Sequence, residues 1–149
     1  VAIDGEVISS TAIRLAVARG DLAFAEKALG RPYAILGKVV HGQMMGQQLG
    51  FPTANIDAAG LQLPPDGVYA VRVHIGKKDF QGIANLGIRP TVSQDSRRVL
   101  EVHLFEFDGD LYGMDIEVEF LRFVRGEKKF DSLDDLRAQI ERDIAAVRM

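Results

Sequence analysis

The sequence contains no cysteine. Disulfides and thiolate metal sites are therefore excluded, and a reducing compartment, the cytoplasm, is the expected location. Basic charge is also scarce: 18 Lys and Arg against 21 Asp and Glu leave a net charge of −3. No basic field exists to hold nucleic acid or an anionic membrane, so any phosphate must be handled by a local site. No apolar run approaches the roughly 20 residues a membrane helix needs. Residues 1–6 lack a basic stretch and a long apolar stretch, so no signal peptide is expected there. The first residue is Val1 and not an initiator methionine, so the chain reads as a piece cut from a longer protein. What is present is globular. The chain has 149 residues, 47% hydrophobic and 26% charged, which is enough for one domain with a real core.

The pattern changes part-way along the chain. Residues 10–29 read as two short helices. Ser9, Ser10 and Thr11 offer hydroxyls to cap the first, Gly20 breaks it, Asp21 caps the second, and Gly30 with Pro32 ends it. Their apolar positions, Leu15, Leu22, Ala25 and Leu29, are few, so this hairpin is expected to be an appendage and not the core. From Tyr33 onward, short apolar runs alternate with Gly- and Pro-rich turns. Strands are expected over 34–40, 68–75, 80–85, 99–107 and 114–123, with hairpin turns at Gly76-Lys77-Lys78 and Asp108-Gly109-Asp110. Strands so close in sequence leave no room for crossover helices and must pair antiparallel. Five or six of them are expected to close into a sandwich or barrel. The tail is a helix capped by Asp131 or Ser132. Its stripe of Leu133, Leu136, Ile140, Ile144 and Val147 is expected to lie on that barrel.

One stretch carries chemistry. Gly42, Gly46 and Gly50 recur every four residues and are followed by Phe51-Pro52-Thr53-Ala54-Asn55. Glycines let backbone N–H groups approach a phosphate closely. Thr53 and Asn55 face one side of an extended chain, so both oxygens can reach one hard cation such as Mg²⁺. The same glycines and the Pro-Thr-x-Asn unit also fit an ordinary loop and turn. The stretch is not a Walker A loop, since no Gly-Lys-Ser/Thr follows the glycines. Phosphoryl transfer to a hydroxyl also needs a base. Glu101, in Val99-Leu100-Glu101-Val102-His103-Leu104, is the candidate, because apolar neighbours raise a carboxylate's proton affinity; the local pattern alone better fits a barrel-end carboxylate in solvent. His103 shares its face and is the kind of residue that serves structure.

These residues resemble the riboflavin kinases. Gly42-x-x-x-Gly46-x-x-Leu49-Gly50-Phe51-Pro52-Thr53-Ala54-Asn55 looks like that family's signature. Three further stretches agree with it in order: Asn85-Leu86-Gly87-Ile88-Arg89-Pro90-Thr91, Glu101 through Gly113, and Glu127 through Leu133. The resemblance covers the chain from about Tyr33 to its end. It implies a mainly β fold: a six-stranded antiparallel Greek-key barrel with a C-terminal helix and a short helical appendage. It implies transfer of the ATP γ-phosphate to the 5′-hydroxyl of riboflavin, giving FMN and ADP, with Mg²⁺ accompanying ATP. Glu101 and Asn55 would be catalytic, and Thr53 with Asn55 would hold the metal. ATP would be held by Gly37, Lys38, His41, Gly42, Gly46, Gly50, Pro52 and Thr53. Riboflavin would lie opposite, near Asn85, Arg89, Pro90, Thr91, Arg125 and Phe130. The family's glycine loop often carries basic or small polar residues where this chain has Gln43, Met44, Met45, Gln47 and Gln48. Nucleotide binding here is therefore expected to be weaker than in a relative with a basic loop and to lean more on Mg²⁺.

Ile8-Ser9-Ser10-Thr11-Ala12-Ile13-Arg14 resembles the motif that closes the adenylyltransferase module of bacterial bifunctional FAD synthetases. That resemblance implies residues 1–32 as a remnant or linker of such a module, 33–149 as the kinase domain, and a parent protein that also makes FAD. Expected partners are small molecules, with neither nucleic acid nor membrane. A non-catalytic nucleotide- or flavin-binding barrel is the competing reading.

Overall fold

The structure is a computed structural model, and it describes residues 2–3, 6–7, 9–40, 53–90, 96–107 and 109–148. At the N-terminus a small hairpin pairs β1 (Ala2–Ile3) with β2 (Glu6–Val7). Two helices follow, α1 (Ser10–Ala18) and α2 (Leu22–Leu29). Ser9 Oγ accepts the Ala12 N–H at 3.1 Å and Asp21 Oδ1 accepts the Phe24 N–H at 3.1 Å, so each helix has the side-chain cap its sequence offers. Gly30 closes α2 in the left-handed region, at φ 79°. The buried face of this pair departs from the expected one. Ala25 is buried as expected, but Leu15 and Leu29 are exposed, and Ile13, Ala16, Val17 and Ala28 are buried instead. Alanine faces let two short helices approach closely, and the larger leucines would hold them apart. This cluster is separate from the main core, and Tyr33 packs against both.

The remainder is a closed antiparallel barrel of β3 (Ala34–Val40), β4 (Ala54–Asp57), β5 (Gly67–Ile75), β6 (Lys78–Pro90), β7 (Ser96–Leu104) and β8 (Asp115–Arg125). Round the barrel the order is β3-β4-β7-β6-β5-β8, back to β3. The sixth strand, β4, has only four residues and lies directly after the glycine-rich stretch. Consecutive strands β7 and β8 do not pair, so 108–110 is not the turn of a hairpin. The chain between them instead crosses one end of the barrel. There Phe105 and Leu111 are buried, and Phe107 meets Phe80 edge-on with ring centroids 5.2 Å apart.

Alternation sends Ile35 and Val39, Val71 and Val73, Ala84 and Leu86, Leu100 and Val102, and Val118 and Phe120 into one interior core. Tyr69 lies in the same core, where burial pushes its phenol up to about 12 against an opposing pull from Arg98. It stays a neutral donor to the Pro65 carbonyl at 2.6 Å and pins the connection from β4 to β5. Helix α3 (Leu133–Val147) is capped by Ser132, whose Oγ accepts the Asp135 N–H at 3.1 Å. Ile144 and Val147 lie on a second cluster outside the barrel, with Val68, Ala70, Ile83 and Phe105. Leu133, expected in that stripe, is exposed.

Candidate active site

The ladders bring together three polar residues that are far apart in sequence. Asn55 of β4 is directly opposite Glu101 of β7, and Glu101 is directly opposite Asn85 of β6. Opposed residues have Cα atoms about 4.5–5.5 Å apart and point to the same side. The row continues from Asn85 to Val68 of β5 and then to Arg125 of β8. Val68 belongs to the cluster outside the barrel, so the row faces outward. Glu101 is half-buried and Asn55 is buried.

The environment of Glu101 differs from the expected apolar one. Leu100 and Val102, its neighbours in sequence, point into the barrel, whereas its neighbours in space are two amides. An amide residue therefore flanks Glu101 on each neighbouring strand. Two atoms of the cluster lack partners: Thr53 Oγ1 and Asn85 Oδ1 are buried with no hydrogen bond. An orphaned buried oxygen costs about 1–3 kcal/mol, and native proteins keep such atoms where a ligand, ion or water completes them. No group of three or more His, Asp or Glu suited to a metal exists among the described residues. The oxygens of Thr53 and Asn55 do fit Mg²⁺, which takes few protein ligands beside phosphate oxygens and water.

Strand polarity fixes what lies on either side of the row. At one end, Val40 of β3 is opposite Asn55, so β3 ends and β4 begins beside the row that holds Glu101. At the other end, β6 and β7 run past their barrel neighbours as a two-stranded arm, from Gly87↔Val99 to Pro90↔Ser96. Arg98 ties this arm to Asp66 at 2.8 Å and to the Pro64 carbonyl. The segment after β8, which carries Phe130, leaves from the same end.

The remaining candidates are scattered more widely. Gly37 faces the interior. A Cβ there would lie 2.5 Å from Ile56 Cγ2 and 2.9 Å from the Asp57 carbonyl oxygen, so packing against β4 accounts for this glycine without a phosphate. Lys38 is exposed on the outer face, opposite Asp57 and Asp115. Arg89 and Pro90 end β6, four and five residues beyond Asn85. Phe130 is half-buried, with Arg125 Cζ and Lys128 Nζ 5.9 and 5.8 Å from its ring centroid. His41, Gly42, Gly46, Gly50, Pro52 and Thr91 lie outside the described residues. Sequence reading overlooked Asp143, which is buried on α3 and holds Arg125 through paired hydrogen bonds at 2.8–3.1 Å. Its signal was available: Ile140, Asp143, Ile144 and Val147 share one helical face, where a carboxylate needs a partner.

The riboflavin kinase family model, described as a flavokinase, matches residues 29–149. The chain belongs to the riboflavin kinase family. Its curated relatives are bifunctional riboflavin kinase/FMN adenylyltransferases. That of Haemophilus influenzae is 48% identical over 147 residues, covering 98% of this chain and 47% of the relative. That of Escherichia coli K12 is 50% identical over 145 residues, covering 97% and 46%. The chain thus spans about half the length of these relatives. Among solved structures, riboflavin kinase from Trypanosoma brucei superposes with a TM-score of 0.57 at 28% identity, covering 78% of each chain. A Streptococcus pneumoniae structure described as a macrolide-efflux protein superposes with a TM-score of 0.86 at 36% identity, covering 99% of this chain and 48% of that one. No helix among the described residues is long and apolar enough to cross a membrane.

Proposed function

We propose that this chain is an ATP:riboflavin 5′-phosphotransferase and that the outward row Asn55–Glu101–Asn85 is where the phosphoryl group moves. The observation that carries the reading is the row itself. One carboxylate stands between two amides, on a strand paired with β4, which follows the glycines in sequence, in a chain of the riboflavin kinase family. Glu101 acts as general base on the ribityl 5′-hydroxyl. It needs only hydrogen-bond reach to that oxygen, directly or through one water. Asn85, with an oxygen that has no partner, orients the ribityl chain. Thr53 and Asn55 hold Mg²⁺, which supplies charge neutralisation on the phosphates when bound. Lys38 and the glycine-bearing connection with His41, Gly42, Gly46, Gly50 and Pro52 take the nucleotide. The flavin ring lies toward the arm with Arg89, Pro90 and Thr91, and toward Phe130. Phosphoryl transfer rests on positioning and electrostatics, and the row offers both.

Residues 33–149 would be the kinase unit and residues 1–32 the junction with an adenylyltransferase module of the whole protein, which would work in the cytoplasm and convert FMN to FAD. Incubation of the chain with riboflavin and MgATP, resolved by chromatography, is expected to yield FMN. Incubation with FMN and ATP is expected to yield no FAD. A folded chain that binds both substrates yet forms no FMN contradicts the proposal and leaves a binding module.

A further inference from the structure

Arg125 ends β8, three strands round the six-stranded barrel from β7 and Glu101, where the 126–131 segment begins. Its donors are turned into the protein. Nε donates to Asp143 Oδ1 at 3.0 Å and Oδ2 at 3.1 Å, and Nη2 donates to Oδ2 at 2.8 Å. Nη1 donates to the Gly126 carbonyl at 3.0 Å. All three nitrogens are thus engaged within the protein, in the fork-to-fork geometry that only Arg provides. Gln139 donates a further hydrogen bond to Asp143 Oδ1 at 2.9 Å, so the acceptor is itself held in place. The Asp143 side chain is 5% exposed and that of Arg125 21%. The guanidinium carbon also stands 5.9 Å from the Phe130 ring centroid.

On the reading that the chain phosphorylates riboflavin, we propose that Arg125 is a positioning residue and not a flavin ligand. Through Asp143 it ties the start of the 126–131 segment and the Phe130 ring to helix α3, so the C-terminal helix sets the affinity for riboflavin. Lysine at 125 keeps the charge but loses the fork, and asparagine at 143 keeps the shape but loses one acceptor and the charge. Both variants should loosen the segment without touching the row around Glu101.

Steady-state kinetics of Arg125→Lys, Asp143→Asn and the double variant test this. Each single variant is expected to raise the KM for riboflavin roughly ten-fold, with KM for MgATP and kcat within about two-fold of wild type. The double variant is expected to be no worse than the worse single one, because the two residues act as a unit. Amide hydrogen exchange without substrates should quicken over 126–131 in both single variants. If Arg125→Lys raises the riboflavin KM while Asp143→Asn matches wild type, Arg125 is a direct ligand and the proposal is overturned. Equal loss toward both substrates also overturns it, since that marks general support of the fold. If Asp143→Asn does not fold, Gln139→Met loosens the same carboxylate and carries the test. Absence of FMN from the wild-type chain would remove the kinase reading alone. The latch would then stand or fall on the exchange data and on riboflavin titrations followed by flavin fluorescence.

Discussion

Single residues decide the chemistry, and the most informative ones are the polar atoms left without partners. Thr53 Oγ1 is buried and unbonded, so it weakens the fold on its own. Replacing Thr53 with the nearly isosteric valine is therefore expected to stabilise the chain by about 1 kcal/mol, while activity falls and more Mg²⁺ is needed to restore it. Urea denaturation and a Mg²⁺ titration of turnover check the two halves of this prediction. Loss of both stability and activity would mark the hydroxyl as structural. At this scale the sequence named the residue types but not their company. Thr53, Asn55 and Glu101 were legible as candidates because hydroxyl, amide and carboxylate suit phosphate chemistry, and Asn85 through the resemblance to the riboflavin kinases. That Asn55 and Asn85 flank Glu101 depends on the register of three strands, which one sequence does not print. Leu100 and Val102, next to Glu101 in sequence, turn away from it, because adjacent residues of a strand face opposite sides.

Elements carry the site through their pairing. Alternating apolar positions and turn residues made five strands and three helices legible, and β3 was read with its observed bounds. Strand β4 was not read as one, because four residues beginning Ala-Asn hold too little alternation to register. The supposed turn at 108–110 misled because a Gly flanked by Asp fits a hairpin and a crossing connection equally well. Its true role follows from the closed order of the strands. Barrel closure also gives Gly37 a purpose that sequence reading had assigned to ATP. A methyl group there would collide with Ile56 and with the backbone at Asp57, which cannot yield cheaply. Gly37→Ala is expected to cost about 1–3 kcal/mol of stability, measured by chemical denaturation, by forcing β3 from β4. A neutral outcome would show that the two strands can separate without penalty, and the placement of Asn55 would then need another cause.

At the scale of the whole molecule, an ion-pair network joins the linker before β3 to the barrel's outer wall. Glu119, buried on β8, accepts hydrogen bonds from Arg72 at 2.9 Å, from Arg31 at 3.3 Å and from His74, whose other ring nitrogen meets Asp79. Arg31 also pairs with Glu117. His74 binds its proton more tightly than usual, chiefly through the hydrogen bond to Glu119, with partial burial opposing and Asp79 assisting. Burial pushes Glu119 the other way, but the hydrogen bonds and charges of His74 and Arg72 outweigh it and hold its carboxyl below the ordinary range. A histidine with a raised folded pKa stabilises fully below its unfolded value near 6.5 and ceases to as pH rises through the folded value. The depressed Glu119 stabilises above its ordinary value and ceases to only as pH falls through the lowered one. Stability of the wild type should therefore decline as pH is raised from about 6.5. Urea denaturation of His74→Gln over the same range should give a flatter profile, and an unchanged slope would remove His74 from the account. Net charge bears on none of this, since −3 spread over the chain is weak beside charges in contact. The central claim remains that phosphoryl transfer happens at the row around Glu101. Its most direct test is FMN formation by Glu101→Gln beside wild type, with riboflavin binding followed by flavin fluorescence in both. A base at this position predicts a fall in turnover of about 10²–10⁴-fold with riboflavin still bound. Undiminished FMN from the variant would contradict the claim and move the chemistry away from this row.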